Sequence, residues 1–136
     1  MKKEIVKDTA FLSQQAKEAT PGDQGLAQDL RDTLAAHREH CLGLAANMIG
    51  SQKRAIIFNM GFLDMVMFNP LILDKKDPYP TQESCLSLTG SRPTVRYREI
   101  TVQYRNEDWA LKTMTLKDLS AQICQHEMDH LEGILI

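Results

Sequence analysis

The sequence predicts an α+β domain in which mostly antiparallel sheets pack around a central helix, preceded by an N-terminal helix. Leucines recur every fourth residue in the first third of the chain, which is typical of a helix with one apolar face. Short runs of β-branched and aromatic residues fill the middle, and a second helical pattern follows them. With 136 residues, we expect one domain spanning 1–136 around one core.

The first helix is predicted within "TPGDQGLAQDLRDTLAAHREH", which opens with a Pro-Gly turn. Asp23 is expected to cap this helix, because Asp accepts hydrogen bonds from free N–H groups at a helix N-terminus. Its apolar stripe is formed by Leu26, Leu30 and Leu34. His37 and His40 near the helix end are candidate ligands, but cationic side chains are also favoured there electrostatically, and we prefer that interpretation.

Four runs in the middle of the chain predict strands. They are separated by Gly, Pro and "NED" turn residues, and they read "RAIIFNM", "LDMVMFNPLIL", "TVRYREITVQYR" and "WALKTMTL". The third run is rich in Arg and Tyr, as an RNA-binding strand can be. An alternating strand with one solvated face explains the same pattern, and we favour that explanation. The net charge of −2 does not require a polyanionic partner, so we expect no specific nucleic acid.

The second helix is predicted within "LKDLSAQICQHEMDHLEG". Its core-facing stripe, at steps of four, three and four, is Leu119, Ile123, His126 and His130. Both histidines should therefore face the interior of the domain, and Gly133 should end the helix.

His-Glu-x-x-His on a helix is a pattern typical of metal sites. His126 and His130 would lie one turn apart on the same face, close enough to share a divalent cation. Glu127 would lie beside that face and could act as an acid or base on water. Burying two imidazoles without a partner is costly, which favours a metal site over a plain buried histidine pair.

A catalytic metal needs a third protein ligand and an open coordination position. The chain's cysteines, its other histidines and several carboxylates are candidates. Cys124 points about 200° away from His126 on the same helix, which favours a core position. Cys85 in "ESCLSL" is the better candidate, although Cys41 and the carboxylates remain open from the residues alone.

The N-terminal segment, the lack of a membrane-length apolar run and the cysteines favour a cytoplasmic protein. The N-terminal "MKKEIVKDTAFLSQQ" has no apolar run suited to a signal peptide, and no segment is long enough to cross a membrane. Three cysteines cannot all pair with one another, so free thiols or metal ligands are expected.

Three separated segments resemble the peptide deformylase family. They are "CLGLAANMIG", "ESCLS" and "QHEMDHLEG", in the family's order and approximate spacing. The resemblance implies that Cys85 joins His126 and His130 as the third ligand. It also implies hydrolysis of N-formylmethionyl peptides, with Glu127 taking a proton from the attacking water and returning it to the departing amine.

The cofactor implied by the resemblance is a divalent metal, ferrous iron first, with zinc or nickel as substitutes. The implied partner is an N-formylated peptide or nascent chain, with transient association with the ribosome. A monomer with no membrane contact is expected.

The resemblance also assigns the groups that stabilise charge on the formyl oxygen. One is the backbone N–H of Leu86; the other, in the family, is the amide of a glutamine. Met48 stands at that position here, and a thioether donates no hydrogen bond. Asn47 is a poor substitute, because neighbouring residues point to different sides. The alternative function is therefore a deformylase-like paralogue with weak, altered or no activity.

Further roles follow from the same resemblance. A charge network of Glu83, Asp129 and an arginine, Arg96 rather than Arg98, should brace the ligands. The pocket for a methionine-like side chain is expected to be lined by Leu42, Gly43 and Ile123. Two milder departures are Cys41 and Ser84, each at a family glycine.

Overall fold

The computed structural model describes residues Met1 to Ile136. Its α-helices are α1 (Thr9–Leu12), α2 (Leu26–Ala36) and α3 (Asp118–Leu131). Two 3-10 helices are Pro21–Asp23 and Ala46–Ile49. The strands are β1 (Gly43–Ala45), β2 (Ala55–Asn59), β3 (Asp64–Cys85), β4 (Leu88–Arg105) and β5 (Leu111–Lys117).

The five strands form one antiparallel sheet in the order of the chain, β1-β2-β3-β4-β5. The predicted α+β class is confirmed, and each of the four strand-like runs contains part of a strand. The sequence patterns missed β1 and the continuation of β3 through residues 74–85. That continuation is charged and contains two prolines, so it carries no apolar alternation.

The far end of the β3–β4 hairpin is a two-stranded ribbon, formed by residues 78–85 of β3 and 88–97 of β4. β2 pairs with β3 only up to Phe68, so the ribbon's β3 edge has no neighbouring strand. Pro78 and Pro80 are tolerated there because an edge strand can lack an N–H without losing a ladder bond. The ribbon carries Glu83 and Cys85 towards α3.

Helix α3 is joined to the ribbon through Gln125. The Gln125 Oε1 atom accepts the backbone N–H of Tyr97 at 2.9 Å, and Nε2 donates to the Tyr97 carbonyl at 2.8 Å. These bonds satisfy the β4 edge just beyond the last residue that β5 pairs, Glu99. Nε2 also donates to Ala121 O at 2.9 Å, which fixes the amide on the helix.

The predicted stripe of α3 is confirmed for three of its four residues. Ile123, His126 and His130 are buried, but Leu119 is 58% exposed. The prediction was wrong at Leu119 because this residue lies in the first turn of α3, beside an open cleft and not under the sheet. Gly133 follows the helix with φ +77, and an added Cβ would collide with the carbonyl oxygen of Ser13.

Helix α2 begins later than its predicted cap. Gly25 is the N-cap, and the Asp23 carboxylate instead accepts the Thr20 N–H at 2.8 Å within the preceding 3-10 turn. The expectation for Asp23 was wrong because Asp23 closes that turn. Leu30 and Leu34 are buried as expected, and Leu26 is half-buried.

A cluster of 25 buried residues forms the core, between the sheet and helices α2 and α3. None of the helices combines the length and the apolar character that crossing a lipid bilayer requires.

Three arginines of β4 make contacts within the domain. Arg96 is 3% exposed and paired with carboxylates. Arg105 donates to the Trp109 carbonyl at 3.3 Å, and Arg98 stacks over the Tyr79 ring with its Cζ atom 4.5 Å from the ring centroid. These contacts account for three of the arginines, and the absence of a specific nucleic-acid partner stays a prediction.

Candidate metal centre

Three possible ligands converge where the ribbon meets α3. The donor atoms of Cys85, His126 and His130 all lie within 4.8 Å of one another. Cys85 ends β3, and the two histidines lie one turn apart on the face of α3 that points into the domain. No other residue joins this cluster, so His37 and His40 are not part of it.

The geometry of this cluster fits a divalent metal ion. The His126 and His130 Nε2 atoms are 3.1 Å apart, near the roughly 3.3 Å expected for two nitrogens on one tetrahedral ion at about 2.0–2.1 Å each. One thiol and two imidazoles form a donor set that binds iron, zinc and nickel. The buried Glu127 Oε1 atom beside them has no hydrogen-bond partner, as expected for a group that meets water or substrate at a metal.

Glu127 is held against the backbone of β1. A Cβ added at Gly43 would lie 2.9 Å from Glu127 Oε2 and 2.8 Å from Ile123 Cγ2. Only glycine therefore leaves room for this carboxylate. Burial raises the pKa of Glu127 to about 7, and the negative charge of Glu83 acts in the same direction. A carboxyl group with a pKa near neutrality is suited to both accepting and returning a proton.

Glu83, Arg96 and Asp129 form the expected charge network, and the arginine is Arg96. Arg96 Nη2 donates to Glu83 Oε1 at 2.7 Å, and Nη1 donates to Asp129 Oδ2 at 2.6 Å. His126 Nδ1 lies 2.7 Å from Glu83 Oε1. Because an ionised carboxylate only accepts, Nδ1 carries the proton and Nε2 points towards the other ligands.

The protonation of these groups follows from their surroundings. Burial opposes ionisation of Glu83, but hydrogen bonds from His126, Arg96 and Gln122 outweigh it and lower its pKa to about 2. Burial, with His126 nearby, lowers the pKa of His130 to about 3, so this imidazole is neutral as a metal ligand must be. Burial also opposes protonation of His126, but Cys85 and Glu83 outweigh it and raise its pKa to about 10 in the metal-free protein. A metal ion bound at Nε2 would therefore have to displace a proton from this atom.

A cleft of about 410 Å³ opens beside the cluster. It brings together all the remaining residues predicted for the site, namely Leu42, Gly43, Met48, Leu86, Ile123 and Glu127. Gln122 and Gln82 also lie in its wall, and neither was predicted from the sequence. Gln122 could have been found, because it lies four residues before His126 and therefore on the same helix face.

Comparison with known proteins agrees with this geometry. The sequence model of the family described as polypeptide deformylase matches residues 2–136. A peptide deformylase of Clostridium beijerinckii is 53% identical over 136 residues, covering 100% of both chains. The solved structure of a peptide deformylase from Legionella pneumophila has a TM-score of 0.89 at 29% identity, covering 99% of this chain and 83% of that one. A class I type b enzyme from Acinetobacter baumannii, bound to K1U, has a TM-score of 0.89 at 26% identity, covering 99% and 97%.

This chain belongs to the polypeptide deformylase family. Peptide deformylases are metal-dependent hydrolases of N-formyl peptides, and the fold described above is theirs. The resemblance seen in the three sequence motifs is confirmed across the whole chain.

Met48 occupies the wall of the deformylase cleft at the position of the motif glutamine. It is 1% exposed, and its Sδ atom accepts the backbone N–H of Ala45 at 3.5 Å. Asn47 does not replace the missing amide, because its Nδ2 atom donates to the His130 carbonyl at 2.9 Å, behind the cluster. The expectation that Asn47 points to a different side is confirmed.

The backbone N–H of Leu86 is available in this deformylase cleft. Leu86 lies in the tight turn between β3 and β4, and its N–H has no acceptor within the protein. The next amide, Ser87 N–H, points back to the Cys85 sulfur at 3.5 Å.

The other departures from the family motifs are accommodated. Cys41 is half-buried in the cleft wall, and its Sγ atom donates to the Gly43 carbonyl at 2.8 Å. Burial raises the pKa of the Cys41 thiol to about 12, so it is neutral. Ser84 is exposed and has no positive φ, so its Cβ causes no strain. Cys124 is a fully buried core residue, as the helix geometry predicted.

Proposed function

We propose that this chain removes the formyl group from N-formylmethionyl peptides. Water and the N-formyl amide would be converted to formate and a free amine. The observation that carries the proposal is the convergence of Cys85, His126 and His130 beside Glu127, in a cleft, in a chain of the deformylase family. Relatives named peptide deformylase, 53% identical in one case, favour this function over an altered activity.

The ligands in this proposal are Cys85, His126 and His130. A divalent cation held there would supply positive charge that acidifies water and polarises the formyl carbonyl. Glu83 accepts a hydrogen bond from the Nδ1–H of His126 and so orients the Nε2 atom of that ring. Arg96 in turn holds Glu83 and Asp129, so the ribbon and α3 are fixed to each other at this point.

Glu127 is the proposed acid and base. Its carboxylate accepts a proton from water as the C–O bond to the formyl carbon forms, and it delivers that proton to the nitrogen as the C–N bond breaks. The tight fit against Gly43 holds the carboxylate in place for both transfers.

Leu86 is the proposed donor to the formyl oxygen, through its free backbone N–H. Met48 supplies no second donor, so stabilisation of the developing charge is weaker than in relatives with glutamine there. Loss of one such donor costs roughly a hundred- to a thousandfold in rate. We therefore propose a functional deformylase with a modest turnover number.

The substrate's methionine side chain is proposed to enter the cleft along Leu42, Gly43 and Ile123. Leu42 is half exposed at 44% and borders the opening, whereas Ile123 is buried beside the cluster. An apolar side chain of methionine size would cover this exposed leucine, which supports preference for an unbranched apolar residue.

Ferrous iron is the proposed native metal, with zinc or nickel as substitutes. The support is the mixed sulfur and nitrogen donor set, which all three ions accept, and the resemblance to the family. Metal analysis of protein purified without oxygen tests this choice.

We further propose that residues 1–136 act as one domain, in the cytoplasm, as a monomer. The substrate would be a nascent chain, met during transient association with the ribosome. A single core cluster that includes residues from α2, α3 and the sheet supports the one-domain proposal. Light scattering and ribosome co-sedimentation test the rest.

The direct experiment is a formate-release assay on metal-loaded protein with a formyl-Met-Ala peptide. Wild-type protein should release formate, and Glu127→Ala should release it at the background rate while still binding metal. Cys85→Ala should lose both metal and activity, whereas Cys124→Ala, at a cysteine outside the cluster, should keep both. A wild-type rate equal to that of Glu127→Ala would rule the proposal out.

A further inference from the structure

Gln122 joins the cleft wall to the charge network behind the proposed ligands. It lies on α3 one turn before His126 and lines the cleft. Its Nε2 atom donates to Glu83 Oε2 at 3.0 Å, and its Oε1 atom accepts the Tyr79 hydroxyl at 3.4 Å. Both ends of this amide are therefore engaged.

The two oxygens of Glu83 have different partners. Oε1 receives Arg96 Nη2 at 2.7 Å and lies 2.7 Å from His126 Nδ1. Oε2 receives Arg96 Nε at 3.0 Å and Gln122 Nε2 at 3.0 Å. Arg96 Nε also lies 3.2 Å from Oε1, so the guanidinium contacts both oxygens. Among the three partners of Glu83, only Gln122 forms its hydrogen bond with Oε2 alone.

Glu83 determines which way the Gln122 amide points, and Tyr79 bonds the other end of that amide. A carboxylate only accepts hydrogen bonds, so the NH₂ group must face Glu83 and the oxygen must face Tyr79. The Tyr79 O–H donates to that oxygen, and its ring lies under the Arg98 guanidinium at 4.5 Å. A flipped amide would place its oxygen against the Glu83 carboxylate, which is repulsive.

We propose that Gln122 is a positioning residue that holds the Glu83 carboxylate on His126, and that Tyr79 keeps Gln122 in the orientation this requires. The proposal rests on the metal centre inferred above and adds to it a residue outside the ligand set. Without the Gln122 bond, Glu83 Oε2 keeps only the bond from Arg96 Nε at 3.0 Å, so the carboxylate holds the His126 imidazole less firmly.

Metal affinity of the variant Gln122→Met tests this inference directly. Methionine keeps the volume and removes both hydrogen bonds. Partners bonded directly to a ligand contribute about 10–100-fold in metal affinity, and Gln122 acts one step further out, so we expect the Zn²⁺ dissociation constant to rise about three- to tenfold. The unfolding midpoint of the metal-free protein should stay near that of wild type.

Gln82→Met is the matched control. Gln82 also lines the cleft, but its side chain accepts only the Ser91 hydroxyl at 3.3 Å and does not reach Glu83. Gln82→Met should bind Zn²⁺ like wild type. Equal affinity of Gln122→Met and wild type, or equal weakening by Gln82→Met, would overturn the inference.

Tyr79→Phe is a second test, of the role given to Tyr79. It should weaken Zn²⁺ binding less than Gln122→Met, and the double variant should bind no more weakly than Gln122→Met alone, because Tyr79 acts through Gln122. Additive effects would contradict the role given to Tyr79. Failure of wild-type protein to bind Zn²⁺ would instead contradict the proposed function, so the two failures are distinguishable.

Discussion

The sulfur of Met48 accepts the backbone N–H of Ala45 at 3.5 Å, across the 3-10 turn that starts the cleft wall. The side chain at the family's glutamine position is therefore turned back onto its own backbone. It fills space in the cleft without offering a hydrogen-bond donor. The only donor that we assign to the formyl oxygen is the Leu86 N–H.

Restoring the amide at this position should raise the rate. We expect Met48→Gln to increase kcat for formate release by about ten- to a thousandfold, because one oxyanion donor contributes roughly 10²–10³ when well placed. Metal affinity should not change. Met48→Leu, which keeps an apolar side chain of similar size, should show no gain. A kcat for Met48→Gln no higher than that of Met48→Leu would mean that the cleft has been remodelled around methionine.

Adding one methyl group at Gly43 should impair catalysis without removing the metal. The new Cβ would lie 2.9 Å from Glu127 Oε2, and also 2.9 Å from the Ile57 carbonyl, so Glu127 must move. We expect Gly43→Ala to lower kcat about a hundredfold, since misplacing a catalytic group by about 1 Å has that effect. Gly25→Ala, where nothing lies within 4 Å, is the control. Full activity in Gly43→Ala would contradict the placement of Glu127.

Loss of Gln125 should destabilise the whole domain. Gln125→Leu leaves the Tyr97 N–H and carbonyl at the β4 edge without partners. Each unsatisfied buried group costs about 1–3 kcal/mol, so the unfolding free energy should fall by about 2 kcal/mol or more. Urea titration measures this loss. Gln28→Leu, an exposed glutamine on α2, should change it little; equal losses would show that the bonds to Tyr97 contribute nothing.

The ion pair between Arg38 and Asp64 should make stability depend on acidity. Hydrogen bonding by Arg38 lowers the pKa of Asp64 below 3.8. A carboxyl whose pKa is lower in the folded state stabilises the protein above its unfolded pKa, and this stabilisation is lost as pH falls through the folded pKa. Because Arg38 is partly exposed, we expect Asp64→Asn to cost only about 1 kcal/mol near neutral pH.

Unfolding free energies measured at several pH values test this prediction. The difference in unfolding free energy between wild type and Asp64→Asn should shrink in acid, once Asp64 is protonated in both folded and unfolded chains. Asp74→Asn, at an exposed aspartate 4.0 Å from Lys76 Nζ, is the control and should change the unfolding free energy little. A difference for Asp64→Asn that stays constant from neutral pH into acid would contradict the lowered pKa.

Sequence patterns predicted the parts of this site that lie on one helix. The spacing of His126 and His130 determines their shared face, and the motif that contains Cys85 predicted the third member of the cluster. The pairing of Gln122 with Glu83 could not be predicted in this way, because it depends on how β3 continues past its apolar segment. Nothing in the charged and proline-containing residues 74–85 indicates a strand, yet pairing with β4 extends it to Cys85.

Local sequence patterns also gave the wrong environment for Asp23 and for Leu119. Asp23 suits a helix cap, but the earlier turn at Thr20 takes its carboxylate. Leu119 fits the apolar spacing of α3, but no element covers the helix's first turn. A competing local turn decides the position of Asp23, whereas tertiary packing decides the exposure of Leu119.

X-ray absorption at the metal edge of zinc-loaded protein shows whether Cys85, His126 and His130 bind one metal ion. We predict one ion per chain, bound by one sulfur at about 2.3 Å and two imidazole nitrogens at about 2.0–2.1 Å, with the sulfur signal absent in Cys85→Ser and unchanged in Cys124→Ala. A spectrum of the wild-type protein without a sulfur ligand, or protein that retains no metal, would contradict this prediction.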